Sequence, residues 1–169
     1  HTACDRHNFV LEVEVTAGNV HDSVAFDSVY ADLKEHYPEV QVLTMDAGYK
    51  TPWICKKVFD DERIFSTSYK APSGKKGYFR PYEYVYDEYY DCVLCPENRV
   101  LRYVTTTKEG KRQYRSDPAI CSNCQSRSKC TGSKDCCKIV EKHLWAEYLE
   151  RAEDVRHSEI GKWIYSLRS

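Results

Sequence analysis

The chain has 169 residues and a formal net charge of −1, and these totals exclude several classes of protein. Hydrophobic residues make up 41% and charged residues 30%, as in an ordinary globular domain. No apolar run approaches the roughly 18 residues of a membrane span, and no signal peptide is recognisable, so we expect no membrane partner. The balanced charge argues against a uniformly basic nucleic-acid-binding protein. Because the chain begins inside a predicted strand and ends inside a predicted helix, we expect it to be a piece of a longer protein.

Residues 1–15 predict a β-hairpin. The run Phe9–Val15 alternates apolar residues with glutamates, and this period of two indicates a strand with one face in water. The shorter run Thr2–Cys4 can pair with it through a turn at residues 5–8, because Asp and Asn favour turns, and Asp5 is assigned to that turn. The face expected to be apolar consists of Phe9, Leu11, Val13 and Val15.

Residues 22–69 predict helices and strands in alternation. Each helix has apolar residues at spacings of three and four, preceded by a residue that can cap its first turn. A near-continuous apolar run between the helices indicates a strand buried on both faces. A hairpin followed by such βαβ units predicts a mixed sheet with helices packed against it. The expected elements are a helix from Asp22 or Ser23 to Pro38, a strand at Val40–Met45, a helix that starts at Thr51-Pro52, and a parallel strand at residues 63–69.

An aspartate ends the buried strand. Asp46 follows Met45 directly, and Gly48 and a helix start come next. Open α/β sheets place their chemistry at the carboxyl ends of such strands. Asp46 is therefore either a functional carboxylate at the rim of the sheet or a cap for the following helix, and the strand alone leaves both roles open.

From residue 70 to about residue 138 the chain loses helical periodicity and gains cysteines. Two C-x-x-C pairs are separated by residues 96–120, and another cysteine follows at position 130. Two thiolates from each tight turn can complete a tetrahedron around Zn²⁺, which we favour over free thiols, disulfides, an iron–sulfur cluster or a redox pair. Since a tetrahedral site takes four ligands, either Cys92 or Cys130 would not bind the ion. The predicted zinc ligands are four of the five residues Cys92, Cys95, Cys121, Cys124 and Cys130.

Two stretches rich in lysine and arginine could contact phosphates or could be solvated loops. The second lies beside the predicted short strands Val100–Val104 and Gln113–Arg115, which flank a turn at residues 108–110. A β-ribbon of this kind, cross-linked by zinc, could bind nucleic acid. Alternatively, the zinc could serve only to stabilise the fold. The candidate nucleic-acid-binding residues are Lys70, Lys75, Lys76, Arg80, Lys111, Arg112 and Arg115.

Helical spacing returns near the end of the chain. An apolar stripe runs from Leu144 to Val155, and Ser158 can cap a last helix that carries Ile160, Ile164 and Leu167. The predicted organisation is a core part at 1–70, a cysteine-rich insertion at 71–138 and a helical return to the core at 139–169.

Several short motifs occur in a fixed order: His1–Asp5, Gly18–Ser23, Met45–Tyr49, Cys95-Pro96, Cys121-x-x-Cys124 with Cys130, and Arg156–Ser158. This ordered set, which spans essentially the whole chain, resembles the catalytic region of bacterial insertion-sequence DDE transposases, in the branch with a cysteine-rich insertion. The resemblance implies an α/β, ribonuclease H-like fold with a mixed sheet and flanking helices, truncated at both ends, and a small zinc-binding β-rich insertion.

The resemblance also implies a metal site. In that family Asp, Asp and Glu hold two Mg²⁺ ions, which Mn²⁺ can replace, about 3.5–4 Å apart for strand cleavage and transfer. The second Asp matches Asp46, whereas the first would precede His1 and the Glu would follow Ser169. His21 and Asp22 could support this site without binding the ions, or they could cap their helix. The glutamates of the last helices are assigned to solvated faces: Glu147, Glu150, Glu153 and Glu159.

The implied function is DNA transposition. The intact protein would cut and join transposon ends as a homo-oligomer on DNA, in the bacterial cytoplasm at the nucleoid, whereas this chain alone is expected not to cleave DNA. Three alternatives stay open: a non-catalytic, zinc-dependent nucleic-acid-binding module, a DNA nuclease on the same fold that never joins ends, and a thiol redox protein.

Overall fold

The computed structural model describes residues 1–69 and 74–168, and the chain divides into two compact units. The first unit comprises His1–Lys70 and Trp145–Ser169, and the second comprises Ala71–Leu144. Helices and strands occur in both units, so the architecture is mixed α/β. The predicted insertion, residues 71–138, ends one strand earlier than the second unit does.

The predicted hairpin opens the first unit. Strand β1 (Thr2–Cys4) pairs antiparallel with β2 (Val10–Val13), with Thr2 opposite Val13. The Asp5 carboxylate accepts the His7 and Phe9 backbone N–H groups at 2.8 and 2.9 Å, so its predicted turn role is confirmed.

The apolar face predicted for this hairpin is wrong. Glu12 of β2 and Glu14, which follows β2, face the first helix, α1 (Asp22–His36): Glu12 pairs with His36, and Glu14 accepts a hydrogen bond from Ser28 at 3.2 Å. Because alternate residues of a strand point to opposite sides, these polar contacts turn the apolar residues outward. The residues left exposed are Phe9 (68%), Val13 (57%) and Val15 (88%).

A parallel strand pair follows the hairpin. Strand β3 (Val42–Met45) leads to a short 3₁₀ turn (Ala47–Tyr49), then to helix α2 (Pro52–Asp60) and strand β4 (Ile64–Thr67). Met45 lies opposite Thr67, and Thr51 caps α2 as predicted, because its hydroxyl accepts the Ile54 N–H at 3.2 Å. The hairpin and this pair form separate hydrogen-bonded sheets, so the described residues do not form the single mixed sheet that was predicted.

The second unit is built on a five-stranded antiparallel sheet whose strands lie in chain order. Two strands and the turn between them were predicted, and Gly110 closes that turn with a φ of +73°. The short strands on either side were not predicted, and the last one occupies residues assigned to the helical return. The strands are β5 (Val85–Asp87), β6 (Cys92–Leu94), β7 (Val100–Thr106), β8 (Lys111–Arg115) and β9 (Ile139–His143).

Two short helices, α3 (Pro118–Ser122) and α4 (Arg127–Cys130), connect β8 to β9. The Asp117 side chain caps α3 by accepting the Ala119 N–H at 2.8 Å. Neither helix has a buried residue, so apolar packing does little to hold them in place.

Helices α5 (Ala146–His157) and α6 (Glu159–Ser166) complete the first unit. Ser158 caps α6 as predicted, because its hydroxyl accepts the Gly161 N–H at 2.9 Å. Of the apolar residues predicted for α6, Ile164 is buried but Ile160 is 66% exposed. No helix within residues 1–69 and 74–168 is long and apolar enough to cross a membrane.

The core of the first unit lies between α1, α2, β4 and α5. Strand β4 lies against both α2 and α5, so the last helices complete a core that the first 70 residues begin. The buried cluster consists of Phe26, Tyr30, Ile54, Cys55, Val58, Phe59, Phe65 and Ala152.

Candidate functional site

Asp46 lies at the carboxyl end of β3, where the chain turns into the 3₁₀ segment. Its backbone carbonyl accepts the Tyr49 N–H at 3.0 Å, but its side chain makes no capping hydrogen bond to that turn. The side chain is 63% exposed. The structure therefore does not show helix capping by the Asp46 carboxylate, which was one of the two roles that the sequence left open.

The Asp46 carboxylate is paired with a cation from the end of the chain. Nη1 of Arg168 lies 2.6 Å from Oδ1 of Asp46. The hydrogen bond and the charge of this guanidinium lower the pKa of Asp46, against a smaller opposing effect of burial. The carboxylate of Asp46 is thus ionised at neutral pH, and it is already paired with a positively charged side chain.

Three further polar side chains surround the turn after Asp46. A Cβ atom at Gly48 would lie 3.4 Å from Oδ2 of Asp22, so the carboxylate of Asp22 lies against this turn. His1 Nδ1 lies 3.2 Å from the Tyr49 hydroxyl and 3.6 Å from Oδ1 of Asp22. Burial and the two carboxylates together raise the pKa of Tyr49. The sequence singled out Asp22 but not His1 or Tyr49, because no sequence pattern connects the residue before β1 to a turn after β3.

His21 points at its own helix. Its Nδ1 accepts the Ser23 N–H at 3.2 Å and lies 2.8 Å from the Ser23 hydroxyl. This is the capping arrangement, one of the two roles that the sequence allowed for His21.

The expectation that Glu153 lies on a solvated helix face is wrong. It pairs with Lys50, whose side chain is only 9% exposed, and with Arg156 at 2.7 Å. This ion pair ties α5 to the segment just after the Asp46 turn. The other three glutamates are exposed as expected: Glu147, Glu150 and Glu159.

Within the part of the chain that the structure describes, no group of three or more His, Cys, Asp or Glu side chains is placed to hold a metal ion. The described residues therefore place no complete cluster of carboxylates around Asp46 at the end of β3.

Four of the five candidate cysteines line one cavity of about 450 Å³ in the second unit. One of them follows β6, and the others belong to α3, to the loop after it and to the end of α4. The four are Cys95, Cys121, Cys124 and Cys130.

Cys92 lies elsewhere. It lines a different cavity, of about 650 Å³, together with Asp87 and Asp91. Burial, and then the charges of those two carboxylates, raise the pKa of the Cys92 thiol. The structure therefore separates Cys92 from the other four candidates.

The predicted basic residues do not form one surface. Because side chains alternate along β8, Lys111 and Arg115 point to one side of the sheet and Arg112 to the other. Arg112 pairs with Asp91, and Arg115 donates to Cys137 Sγ at 2.8 Å.

In the first basic stretch, Lys75 lies 4.9 Å from the ring centre of Tyr78, and Arg80 donates to the Gly74 carbonyl at 3.3 Å. Lys75 and Lys76 are exposed. Lys70 lies outside the described residues. A role of these side chains in binding DNA stays a prediction.

Comparison with known proteins gives one match. A family model described as a transposase DDE domain matches residues 94–169, slightly less than half of the chain. No curated protein and no solved structure matches the chain. Over residues 94–169 the chain is therefore similar to the DDE domain of transposases, and this similarity supports a DDE transposase.

Proposed function

We propose that this chain is part of the catalytic domain of a DDE transposase, and that the intact protein cuts transposon ends and joins them to target DNA. The similarity of residues 94–169 to a transposase DDE domain carries the proposal. The position of an ionised carboxylate at the end of β3 supports it. The resemblance of the ordered motifs adds a ribonuclease H-like core, a bacterial, cytoplasmic protein and a homo-oligomer on DNA.

Asp46 fits a magnesium ligand by its chemistry. Mg²⁺ prefers carboxylate oxygens and keeps several waters, which suits an exposed aspartate at the rim of a sheet. The pairing with Arg168 lowers the pKa of Asp46 and so keeps the carboxylate in the ionised form that can bind a metal. Asp46 would help to hold the ion, which would supply activation of a water or 3′-hydroxyl and stabilisation of the leaving oxygen. The chain's own contribution is to hold Asp46 at the end of a strand whose following turn packs against Asp22.

The exposed lysines of the second unit are the proposed contacts to the DNA backbone. Lys75, Lys76 and Lys111 are exposed, and each phosphate contact would add to a salt-dependent affinity. Arg112 contributes less in this proposal, because its guanidinium is already paired with Asp91, and Lys111 has to exchange its own ion pair with Glu141, at 3.5 Å, for the phosphate.

The decisive experiment uses the intact protein that contains this chain, with DNA bearing transposon ends, Mg²⁺ and a target plasmid. We expect cleavage followed by joining. The variant Asp46→Asn keeps the size of the side chain and should lose about 100-fold or more of both activities, since a metal ligand is more critical than the residues that support it. Glu39→Gln is the matched control, because it removes an exposed carboxylate near β3 and should leave both activities unchanged.

Two outcomes of this experiment would overturn the proposal in favour of its rivals. Metal-dependent cleavage without any joined product would identify a nuclease. Salt-dependent DNA binding without cleavage, unaffected by Asp46→Asn, would identify a binding module.

The 169-residue chain by itself provides a complementary test. Since the described residues gather no group of three metal ligands around Asp46, we expect it not to nick supercoiled DNA in Mg²⁺ or Mn²⁺. Nicking that disappears in Asp46→Asn would contradict this expectation.

A further inference from the structure

We infer that Cys95, Cys121, Cys124 and Cys130 bind one zinc ion in the second unit and that Cys92 does not take part. The spacing of the cysteines left five candidates for four positions. The structure places these four around a single cavity and puts Cys92 in another. This inference does not depend on the proposed function, because it concerns only the second unit.

The four cysteines come from separate segments that converge on the cavity. Cys121 and Cys124 belong to one turn, in which the Cys124 N–H donates to the Cys121 carbonyl at 3.2 Å. Cys130 ends α4, and Cys95 begins the turn after β6. Convergence of thiols from three segments is the arrangement of structural zinc sites with four cysteines.

Two of the sulfurs already make hydrogen-bond contacts. The Arg99 N–H donates to Cys95 Sγ at 3.4 Å across a tight turn, in which the Asn98 N–H also donates to the Cys95 carbonyl. The Tyr84 hydroxyl lies 3.3 Å from Cys130 Sγ. Such contacts fix the orientation of metal ligands.

Cys92 lies on the wrong side of its strand. Side chains alternate along β6, so Cys92 points away from the side of Val93, which belongs to the buried cluster against which Cys95 and Cys130 pack. The neighbours of Cys92 are the carboxylates Asp87 and Asp91, which repel a thiolate.

The second unit also has a structural need for a cross-link. Among the described residues, its buried cluster consists of Tyr84, Val93, Leu101 and Tyr114, with a few partly buried neighbours. The two helices that carry Cys121 and Cys130 contribute no fully buried residue to that cluster, although Cys130 packs against it. A metal that joins these helices to the sheet would replace the missing apolar packing, as in other small metal-stabilised domains.

Binding requires the sulfurs to move closer together. In the described residues no three of them are placed to hold an ion, whereas Zn–S bonds are about 2.3 Å long. Because the four side chains already surround one cavity, rotation of these side chains and small shifts of the connecting loops can bring the sulfurs together.

The test begins with the metal content of the 169-residue chain, purified without chelator and measured by mass spectrometry of the elements. We expect one zinc per chain. We expect Cys92→Ser to keep it, whereas Cys95→Ser, Cys121→Ser, Cys124→Ser and Cys130→Ser should each lower zinc affinity by about 100-fold or more. Substitution with Co²⁺ should give the visible absorption of tetrahedral thiolate coordination in the wild type and in Cys92→Ser.

A measurement on the wild-type chain guards against variants that fail to fold. Thiol alkylation mapped by mass spectrometry should show that the four ligands are protected with zinc and become reactive when a chelator is added. Three results would overturn the inference: no zinc, disulfides or iron at these cysteines, or zinc that is lost in Cys92→Ser but kept in Cys130→Ser. Asp46→Asn should retain zinc, so failure of the proposed catalytic function would not be confused with failure of this site.

Discussion

Asp61 shows how one carboxylate joins parts of the first unit at the scale of single residues. Its Oδ2 accepts hydrogen bonds from Lys34 Nζ at 2.7 Å and from the buried Tyr30 hydroxyl at 2.9 Å. The hydrogen bond from Lys34 is the largest cause that lowers the pKa of Asp61, the hydrogen bond from Tyr30 adds to it, and burial opposes both. The stabilising arrangement therefore requires an ionised carboxylate.

This pKa has a direct consequence for stability in acid. The pKa of Asp61 is lower in the folded chain than the ordinary value of 3.8. Its stabilising contribution is therefore complete above that value and is lost as the pH falls through the folded pKa. Asp61→Asn should lower the free energy of unfolding by about 1 kcal/mol at pH 7 and by progressively less toward pH 3. Urea unfolding at a series of pH values measures this difference.

The control for Asp61→Asn is Glu62→Gln, which removes a carboxylate from the adjacent, exposed position. It should leave the pH profile of stability unchanged. Equal effects of the two substitutions at all pH values would contradict the role assigned to Asp61.

Gly161 permits the close approach of α6 to the end of α5. A Cβ atom there would lie 1.7 Å from the Val155 carbonyl oxygen. Because this oxygen belongs to the backbone, rotation of a side chain cannot relieve the overlap. Gly161→Ala should therefore destabilise the chain by about 1–3 kcal/mol or more, as overpacking does. Thermal unfolding measures this loss. Gly18→Ala makes the same chemical change where no atom lies within 4 Å, and it should have little effect.

At the scale of elements, local signals predicted the first unit well. The cap at Thr51 and the break at Pro38 identified the ends of helices, and the hairpin, β3 and β4 followed from apolar runs and turn residues. The sequence could not predict which face of β2 packs against α1. Alternation of apolar and polar residues shows only that the two faces differ. The pairing of Glu12 with His36 decides it.

The candidate sites were predictable to different degrees. The end of an apolar strand was enough to single out Asp46, but Arg168 is distant in the chain and leaves no signal near it. C-x-x-C spacing indicated zinc, yet it could not choose among five cysteines, because that choice depends on the strand β6 that was not predicted. Three-residue strands such as β6 are too short for a visible period.

The cap of α2 gives a prediction at the scale of one element. Removal of the Thr51 hydroxyl leaves the Ile54 N–H without its side-chain acceptor at the start of the helix. Thr51→Ala should lower the free energy of unfolding by about 1 kcal/mol, whereas Thr51→Ser keeps the hydroxyl and should lose less than half as much. Chemical denaturation of both variants tests this. Equal losses would mean that the methyl group of Thr51, rather than its hydroxyl, stabilises the helix.

At the scale of the whole molecule, the first unit is discontinuous and the second is inserted within it. The first has a core shared by four elements, whereas the second has a small cluster and two helices without buried residues. The two units should therefore depend on different sources of stability.

Hydrogen exchange after chelation tests this difference. If zinc holds the second unit together, a chelator should accelerate exchange of the backbone amides in residues 74–144 and have much less effect on α2 and β4. Comparison of peptides from both units within one sample provides the internal control. Equal acceleration throughout the chain, or none in the second unit, would contradict the prediction.

The pairing of Asp46 with Arg168 makes two events compete. A metal ion that binds Oδ1 of Asp46 has to displace the guanidinium of Arg168, which lies 2.6 Å from that oxygen. Occupancy of the carboxylate and release of the segment that carries Arg168 are then thermodynamically linked, and each favours the other. The mobility of the segment after α6 would thus indicate whether Asp46 has bound a metal ion, and the affinity of Asp46 for that ion would include the free energy of releasing the arginine.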